Sequence, residues 1–355
     1  MIRWREGRVV AVTRARAGAI ELRVATDDGE LAALAYPDLV GEPAEGDRVL
    51  LNTTAISLGL GTGGYALVVA IPDRLPPDRD EPGHVVKARY TPMQATVMAV
   101  DEQDSPHHAV LRDADDLEGM PVVVADLHSA LPAVLAGLRM AGQAPRVVYV
   151  MTDGGALPLG FSRSVDELRA AGWLAAAVTV GQAFGGDVEA VTTHTGLLAA
   201  RHVLGADVAI VTQGPGNLGT GTRWGFSGVA SGEAINATAV LRGRPVAALR
   251  ISDVDPRDRH RGISHHSLTS LGRVALAAAD VVVPSYDGEF GHEIREAAAP
   301  LSPPHRLVEV ALDGVLDAVR ASPVKVATMG RSLDEDATYF AACAAAGRHA
   351  ATLLP

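Results

Sequence analysis

Two rhythms of apolar and polar positions divide the chain. Up to residue 75, short apolar runs at 9–12, 20–24, 31–35, 49–51 and 66–71 are broken by Gly18, Asp27-Asp28-Gly29, Gly41 and Glu45-Gly46-Asp47. Closely spaced runs with glycine and acidic turns predict a small β-barrel. Asp28-Gly29 between two alternating runs signals a hairpin, and Glu45-Gly46-Asp47 a second tight connection. The glycine-rich stretch 58–64 reads as a strand connection. With few aromatic residues to stack bases, the barrel is expected to dock or act as a lid.

Residues 76–92 are rich in proline and charge and read as a linker. After it, β-branched runs at 96–100, 122–125, 147–151, 175–180, 208–212, 246–251, 281–283 and 307–310 alternate with helical periodicity. That alternation predicts an α/β domain: a mostly parallel, doubly wound, Rossmann-like sheet covered by helices. The domain division is therefore 1–75 barrel, 76–92 linker and 93–355 α/β domain. A helix at 129–140 accommodates Pro132 in its first turn. Ser164-Val-Asp-Glu167 and Ser332-Leu-Asp-Glu335 have the spacing of capping boxes. The last helix, predicted over 334–353, carries Ala341, Ala342, Ala344, Ala345 and Ala346. Those small residues suggest close helix packing at a subunit interface, hence a homo-oligomer, with a dimer as the commonest form.

Composition narrows the function classes. The 355 residues are 48% hydrophobic and 21% charged, which excludes a disordered chain. A net charge of −11 argues against a nucleic-acid surface but leaves room for a small anion in a locally basic pocket. The single cysteine, Cys343, and the absence of a signal-like start point to the cytoplasm, and no run is long enough for a membrane span.

In parallel sheets ligands bind beyond the carboxyl ends of the strands. There the sequence places Asp126 and His128, Thr152 and Asp153, Gln182, Gln213, Asp253, and Ser285 with Asp287. Two stretches concentrate the signal. From Gly214 to Gly228, six of fifteen residues are glycine, which leaves backbone N–H groups bare for an anion. Gly214, Gly216, Asn217, Gly219 and Gly221, with Arg223 beside them, are the ligand-binding candidates. The stretch contains G-x-G-x-x-G, but it does not open the domain and no acidic ribose reader follows at about 20 residues, which argues against a nicotinamide dinucleotide. Thr222-Arg223 stands where a phosphate-binding loop has Lys-Ser/Thr.

The second stretch, Asp253 to Ser267, holds Arg257, Arg259, Arg261, His260, His265 and His266. Arg259 and Arg261 suit an anionic group, and histidine transfers protons near neutral pH. The catalytic candidates are His128, His260, His265 and His266, with Asp126, Asp153 or Asp253 to orient them. The plainer alternative is a surface network in which the aspartates pair with the arginines. A divalent metal fits less well, because adjacent His265 and His266 are expected to point apart and no zinc spacing is present. His194 and Glu293 are spare metal-ligand candidates beside His128 and Asp153.

The runs Gly214-Pro-Gly-Asn-Leu-Gly-Thr-Gly-Thr-Arg-Trp-Gly-Phe-Ser-Gly228, His260-Arg-Gly-Ile-Ser-His-His266 and Met329-Gly-Arg-Ser-Leu-Asp-Glu-Asp336 resemble an uncharacterised, largely actinobacterial family catalogued as a domain of unknown function. The resemblance implies a bacterial cytoplasmic protein and carries over no site. From the residues themselves, the expectation is a hydrolase or group transferase acting on a small phosphorylated or carboxylated metabolite. The alternative is a non-catalytic metabolite-binding or regulatory protein.

Overall fold

A computed structural model describes residues 1–61, 63–78, 82–142 and 144–355. The glycine-rich stretch 58–64 and the linker 76–92 each lie partly outside them. Five strands close the N-terminal barrel in the order β1-β2-β3-β5-β4: β1 (Trp4–Arg16), β2 (Ala19–Thr26), β3 (Gly29–Ala35), β4 (Arg48–Asn52) and β5 (Ala66–Ala70). Strand β1 is long enough to pair with β4 through its first half and with β2 through its second, bending at two register shifts. The hairpin at Asp28-Gly29 forms as expected, with Gly29 at φ +115°, a conformation open to glycine. Val9, Leu22, Val24, Val49, Leu51 and Val68 fill the interior.

The barrel docks on the α/β domain through charge and close backbone contact. Glu21 of β2 is buried and accepts from Arg163 Nε at 2.8 Å and Nη2 at 2.6 Å, and from the Tyr65 hydroxyl at 3.0 Å. Burial opposes ionisation of Glu21, but these donors outweigh it and hold the carboxyl below its ordinary value. At the same junction Gly18 meets Gly160, where a Cβ on Gly160 would stand 2.6 Å from the Gly18 carbonyl oxygen.

Within the predicted linker lies β6 (Val85–Lys87), which forms a hairpin with β7 (Ala95–Val97) just beyond it. The run 96–100 was expected in the main sheet; its apolar residues pair locally instead, and only Ala99 reaches the sheet, bridging to Glu189. Lys87 is fully buried, its Nζ donating to the Gly181 and Ala183 carbonyls and pairing with Glu189 at 3.1 Å. The main sheet comprises β8 (Pro121–Val124), β9 (Val147–Thr152), β10 (Ala176–Val180), β11 (Val188–Ala190), β12 (Val208–Gln213), β13 (Arg244–Ala248), β16 (Asp280–Pro284) and β17 (Arg306–Val310). Its order is β11-β10-β9-β12-β8-β13-β16-β17, and every neighbouring pair is parallel. A small hairpin, β14 (Ile251–Ser252) with β15 (Gly262–Ile263), follows β13. Edge strand β11 has no counterpart among the predicted strands, because Val-Glu-Ala is too short and too polar to stand out.

Successive strand residues serve opposite layers. Val123, Tyr149, Ile210 and Val246 face the helices Leu131–Arg139 and Ala337–Ala351, whereas Val122, Val124, Val148 and Val211 face Thr193–His202 and Ala230–Val240. Near-continuous apolar strands follow from burial on both faces. The helix expected at 334–353 runs from Ala337 to Ala351, because Asp336 is held buried by Ser252 and Arg331. Ser332 and Glu335 bond one another without starting a helix, and the helix expected at Ser164 is capped two residues earlier by Ser162. The alanines of the last helix pack within the chain against Leu131–Arg139, so they offer no surface to a second subunit. Among the described residues no helix is long and apolar enough to cross a membrane.

The chain enters the sheet at central β8, runs outward to β11, returns as β12, then crosses β8 to continue as β13. The carboxyl ends of β12, β8 and β13 therefore meet where the winding reverses, the place where open parallel sheets bind ligands.

Candidate functional site

Each of these three strand ends delivers a buried polar residue. Asp126 follows β8, Gln213 closes β12 and Arg250 follows β13. Gln213 Nε2 donates to the Asp126 carbonyl at 2.6 Å, tying two strand ends together. Arg250 is stitched to the histidine segment through its backbone: its N–H donates to Ser267 Oγ at 2.9 Å and its carbonyl accepts from the Ser264 N–H at 2.8 Å.

Ser264 caps a single-turn helix, His265–Thr269, its Oγ accepting from the His266 N–H at 3.2 Å. The same hydroxyl lies 2.8 Å from His260 Nδ1. One residue thus anchors His260 while aiming His265 and His266 from the first turn. The three rings converge, with centroids 4.5 Å apart for His265 and His266, 4.8 Å for His260 and His266, and 5.0 Å for His260 and His265. One nitrogen from each ring lies within 4.8 Å of the others. The expectation that adjacent histidines diverge therefore fails: they sit at a helix start, where ring rotation and the return of His260 close the group.

His266 is clamped on several sides. The Phe226 ring stacks on it at 3.8 Å, nearly parallel, and Asp126 Oδ2 and Arg250 Nη1 stand 3.4 Å and 3.3 Å from its Nδ1. Arg250 Nη1 also lies 3.6 Å from Asp126 Oδ2. Despite these charged neighbours, Asp126 Oδ2 is buried without a hydrogen bond, as are His265 Nε2 and Gln213 Oε1. Burial opposes ionisation of Asp126, yet attraction to His266 and Arg250 holds its carboxyl below the ordinary value. Burial, reinforced by Arg250 and Arg257, pushes His260 down to about 3, and burial with the charges around it lowers His265 too. At neutral pH both rings are neutral, the form that accepts a proton or binds a metal.

The glycine stretch forms the facing wall. Asn217 Nδ2 comes within 3.5 Å of His266 Nδ1, and Ser227 Oγ donates to Asn217 Oδ1 at 2.9 Å while accepting from the Leu218 N–H. Gly219 and Phe226 bridge across the loop, which delivers the Phe226 ring to His266. Gly216 and Gly221 take positive φ, and Gly221 lies against the Arg259 guanidinium. Gly214 is packed on Leu157 and Met151 instead of facing the opening. Arg223, Arg259 and Arg261 are exposed, and among the described residues their side chains form no hydrogen bond or ion pair. Residues 32–347, which include both walls, match the family described as protein of unknown function DUF3866. The chain belongs to that family. No curated protein matches it.

Three of the sequence candidates in this DUF3866 chain stand apart from the cluster. His128 is half-buried with both ring nitrogens engaged, Nδ1 by the Tyr149 hydroxyl at 3.0 Å and Nε2 by Ser162 Oγ at 2.7 Å, and the loss of water around the ring lowers it to about 4. Asp153 accepts from the Gly155, Ala156 and Gln182 N–H groups and shapes its own loop. Asp253 exchanges hydrogen bonds with Thr338 at the start of the last helix. The plainer reading of the arginine stretch holds for one part of it: Asp255 is gripped by Arg257 and approached by Arg331. His194 and Glu293 are exposed on separate helices.

Sequence reasoning missed Arg250, Ser264 and Phe226 as parts of this site. Arg250 carried a signal, since a cation inside the apolar run 246–251 must be paired if it is buried. Phe226 carried another, as one of only five phenylalanines in the chain set within a glycine loop.

Proposed function

We propose that this crevice is the active site of a cytoplasmic hydrolase or group transferase that acts on a small phosphorylated or carboxylated metabolite. The observation that carries the reading is the convergence of His260, His265 and His266 on the strand-reversal point beside Asp126, whose Oδ2 is buried without a hydrogen bond. Buried polar atoms left open cost stability and are kept where chemistry uses them. The imidazoles supply the reacting groups and Asp126 positions His266. Arg259, Arg261 and Arg223, unpaired at the rim, receive the anionic group, while Gly216 and Gly221 let backbone approach it.

The test is a turnover assay on a panel of phosphate monoesters and carboxylate esters. Wild-type protein is expected to turn over at least one, and Arg259→Ala with Arg261→Ala to raise KM about 10- to 100-fold, the worth of charge-assisted hydrogen bonds, with a smaller effect on kcat. An unchanged KM would remove these arginines from the reading. A rise in melting temperature with a panel member but no turnover would favour the non-catalytic metabolite-binding alternative.

A further inference from the structure

We propose that His260, His265 and His266 form a divalent transition-metal centre, each ligating through Nε2 with a fourth position open to solvent or substrate. The inference rests on reading the crevice as reactive, but it concerns a cofactor and is tested on the metal itself. Three imidazoles, with one nitrogen of each lying within 4.8 Å of the others, are a nitrogen-rich set suited to zinc or cobalt, and three protein ligands with a free position is the pattern of catalytic zinc. In a loaded tetrahedral centre with bonds of about 2.05 Å, ligand nitrogens lie about 3.4 Å apart. The ring nitrogens need to close by up to about 1.4 Å, within the reach of side-chain rotation.

The remaining ring atoms agree with this assignment. His260 Nδ1 is already engaged by Ser264 Oγ, which leaves Nε2 for a metal. His265 Nε2 is buried with no hydrogen bond, an orphan that a metal would satisfy. For His266 the choice is made by its Nδ1 neighbours. If Nδ1 accepted a hydrogen bond from Arg250, Asp126 Oδ2 would stay in the interior without one. If Nδ1 keeps its own proton and turns it to Asp126 across 3.4 Å, that oxygen is satisfied, Arg250 pairs with the same carboxylate, and Nε2 is free to ligate. A carboxylate holding the far nitrogen of a metal-bound imidazole is a recurrent support that fixes the tautomer and raises ligand basicity. Phe226 stacked on His266 and Ser264 on His260 fix two of the rings in place. Asp126 is thus a positioning residue, not a ligand.

Full-length protein stripped with chelator and titrated with Co²⁺ and then Zn²⁺ tests the centre without any substrate. Wild type is expected to take up one Co²⁺ with the intense visible bands of tetrahedral coordination, to lose those bands when Zn²⁺ displaces it, and to melt at higher temperature with Zn²⁺. His265→Ala, whose ring is half-buried, should fold and lose the bands, and His194→Ala, on an exposed helix start, should keep them. Asp126→Asn should weaken affinity about 10- to 100-fold while leaving the stoichiometry at one. Absence of stoichiometric uptake by wild type, or equal uptake by His265→Ala, would overturn the proposal. Metal uptake without ester turnover would leave the centre standing and defeat the proposed activity. Turnover by chelator-stripped protein that also takes up no Co²⁺ would do the reverse.

Discussion

Replacing His265 and His266 together by alanine is expected to reduce turnover at least about 100-fold, the loss typical when a positioned acid–base or equivalent group is removed. The fold should survive. His265 is half-buried, and the Ser264 cap that starts the turn uses the backbone N–H of residue 266, which alanine retains. The stacked contact of His266 on Phe226 is worth about 1 kcal/mol, and taking this partner from buried Asp126 costs about 1–3 kcal/mol more, so the melting temperature should fall by several degrees. Unchanged activity in a folded double variant would remove these histidines from the chemistry. His128→Gln makes the contrast, since His128 bonds Tyr149 and Ser162 away from the cluster; its effect should be on stability.

Gly137→Ala is expected to be among the most damaging single substitutions. The helices Leu131–Arg139 and Ala337–Ala351 cross so closely that a Cβ on Gly137 would stand 1.9 Å from the Ala344 carbonyl oxygen and 2.9 Å from the Arg348 nitrogen. On the opposite side of the crossing, a Cβ on Gly347 would stand 2.0 Å from the Val134 oxygen. These neighbours are backbone, and no rotamer change relieves the clash. Overpacking costs about 1–3 kcal/mol where side chains can shift, so a cost of at least about 4 kcal/mol is expected here. Thermal unfolding would show a fall of about 10 °C or more, or insoluble protein. Gly61→Ala, at a position facing open space, should melt as wild type does. Equal melting of Gly137→Ala would contradict the crossing.

The sheet was legible because burial on both faces writes its strands as apolar runs, and the strand-end rule then found Asp126, the glycine stretch and the histidine segment. What periodicity lacks is partner choice. The run 96–100 has strand composition, but nothing local says whether it joins the sheet or pairs with Val85–Lys87. Ser332 and Glu335 make the hydrogen bonds of a helix start, but the helix waits for Ala337 because Ser252 and Arg331, distant in sequence, hold Asp336. Arg250 was hidden inside a strand-like run, and its neighbours Asp126 and Asp255 come from other strand ends and loops. The same blindness to long-range contact hid the histidine cluster: the spacing 260, 265, 266 matches no zinc signature, and only the folded chain returns His260 to its two neighbours.

On the proposed function, the histidine cluster and the glycine wall form one anion-receiving site at the strand reversal. The most direct measurement is the NMR titration of isotope-labelled full-length protein with inorganic phosphate, read at the imidazole groups and the Asn217 side-chain amide. His260, His265, His266 and Asn217 are expected to shift together along one saturating curve, while half-buried His128 and buried His305, hydrogen-bonded elsewhere, stay fixed. Saturating shifts confined to exposed histidines such as His194 or His292, with the cluster unmoved, would contradict it.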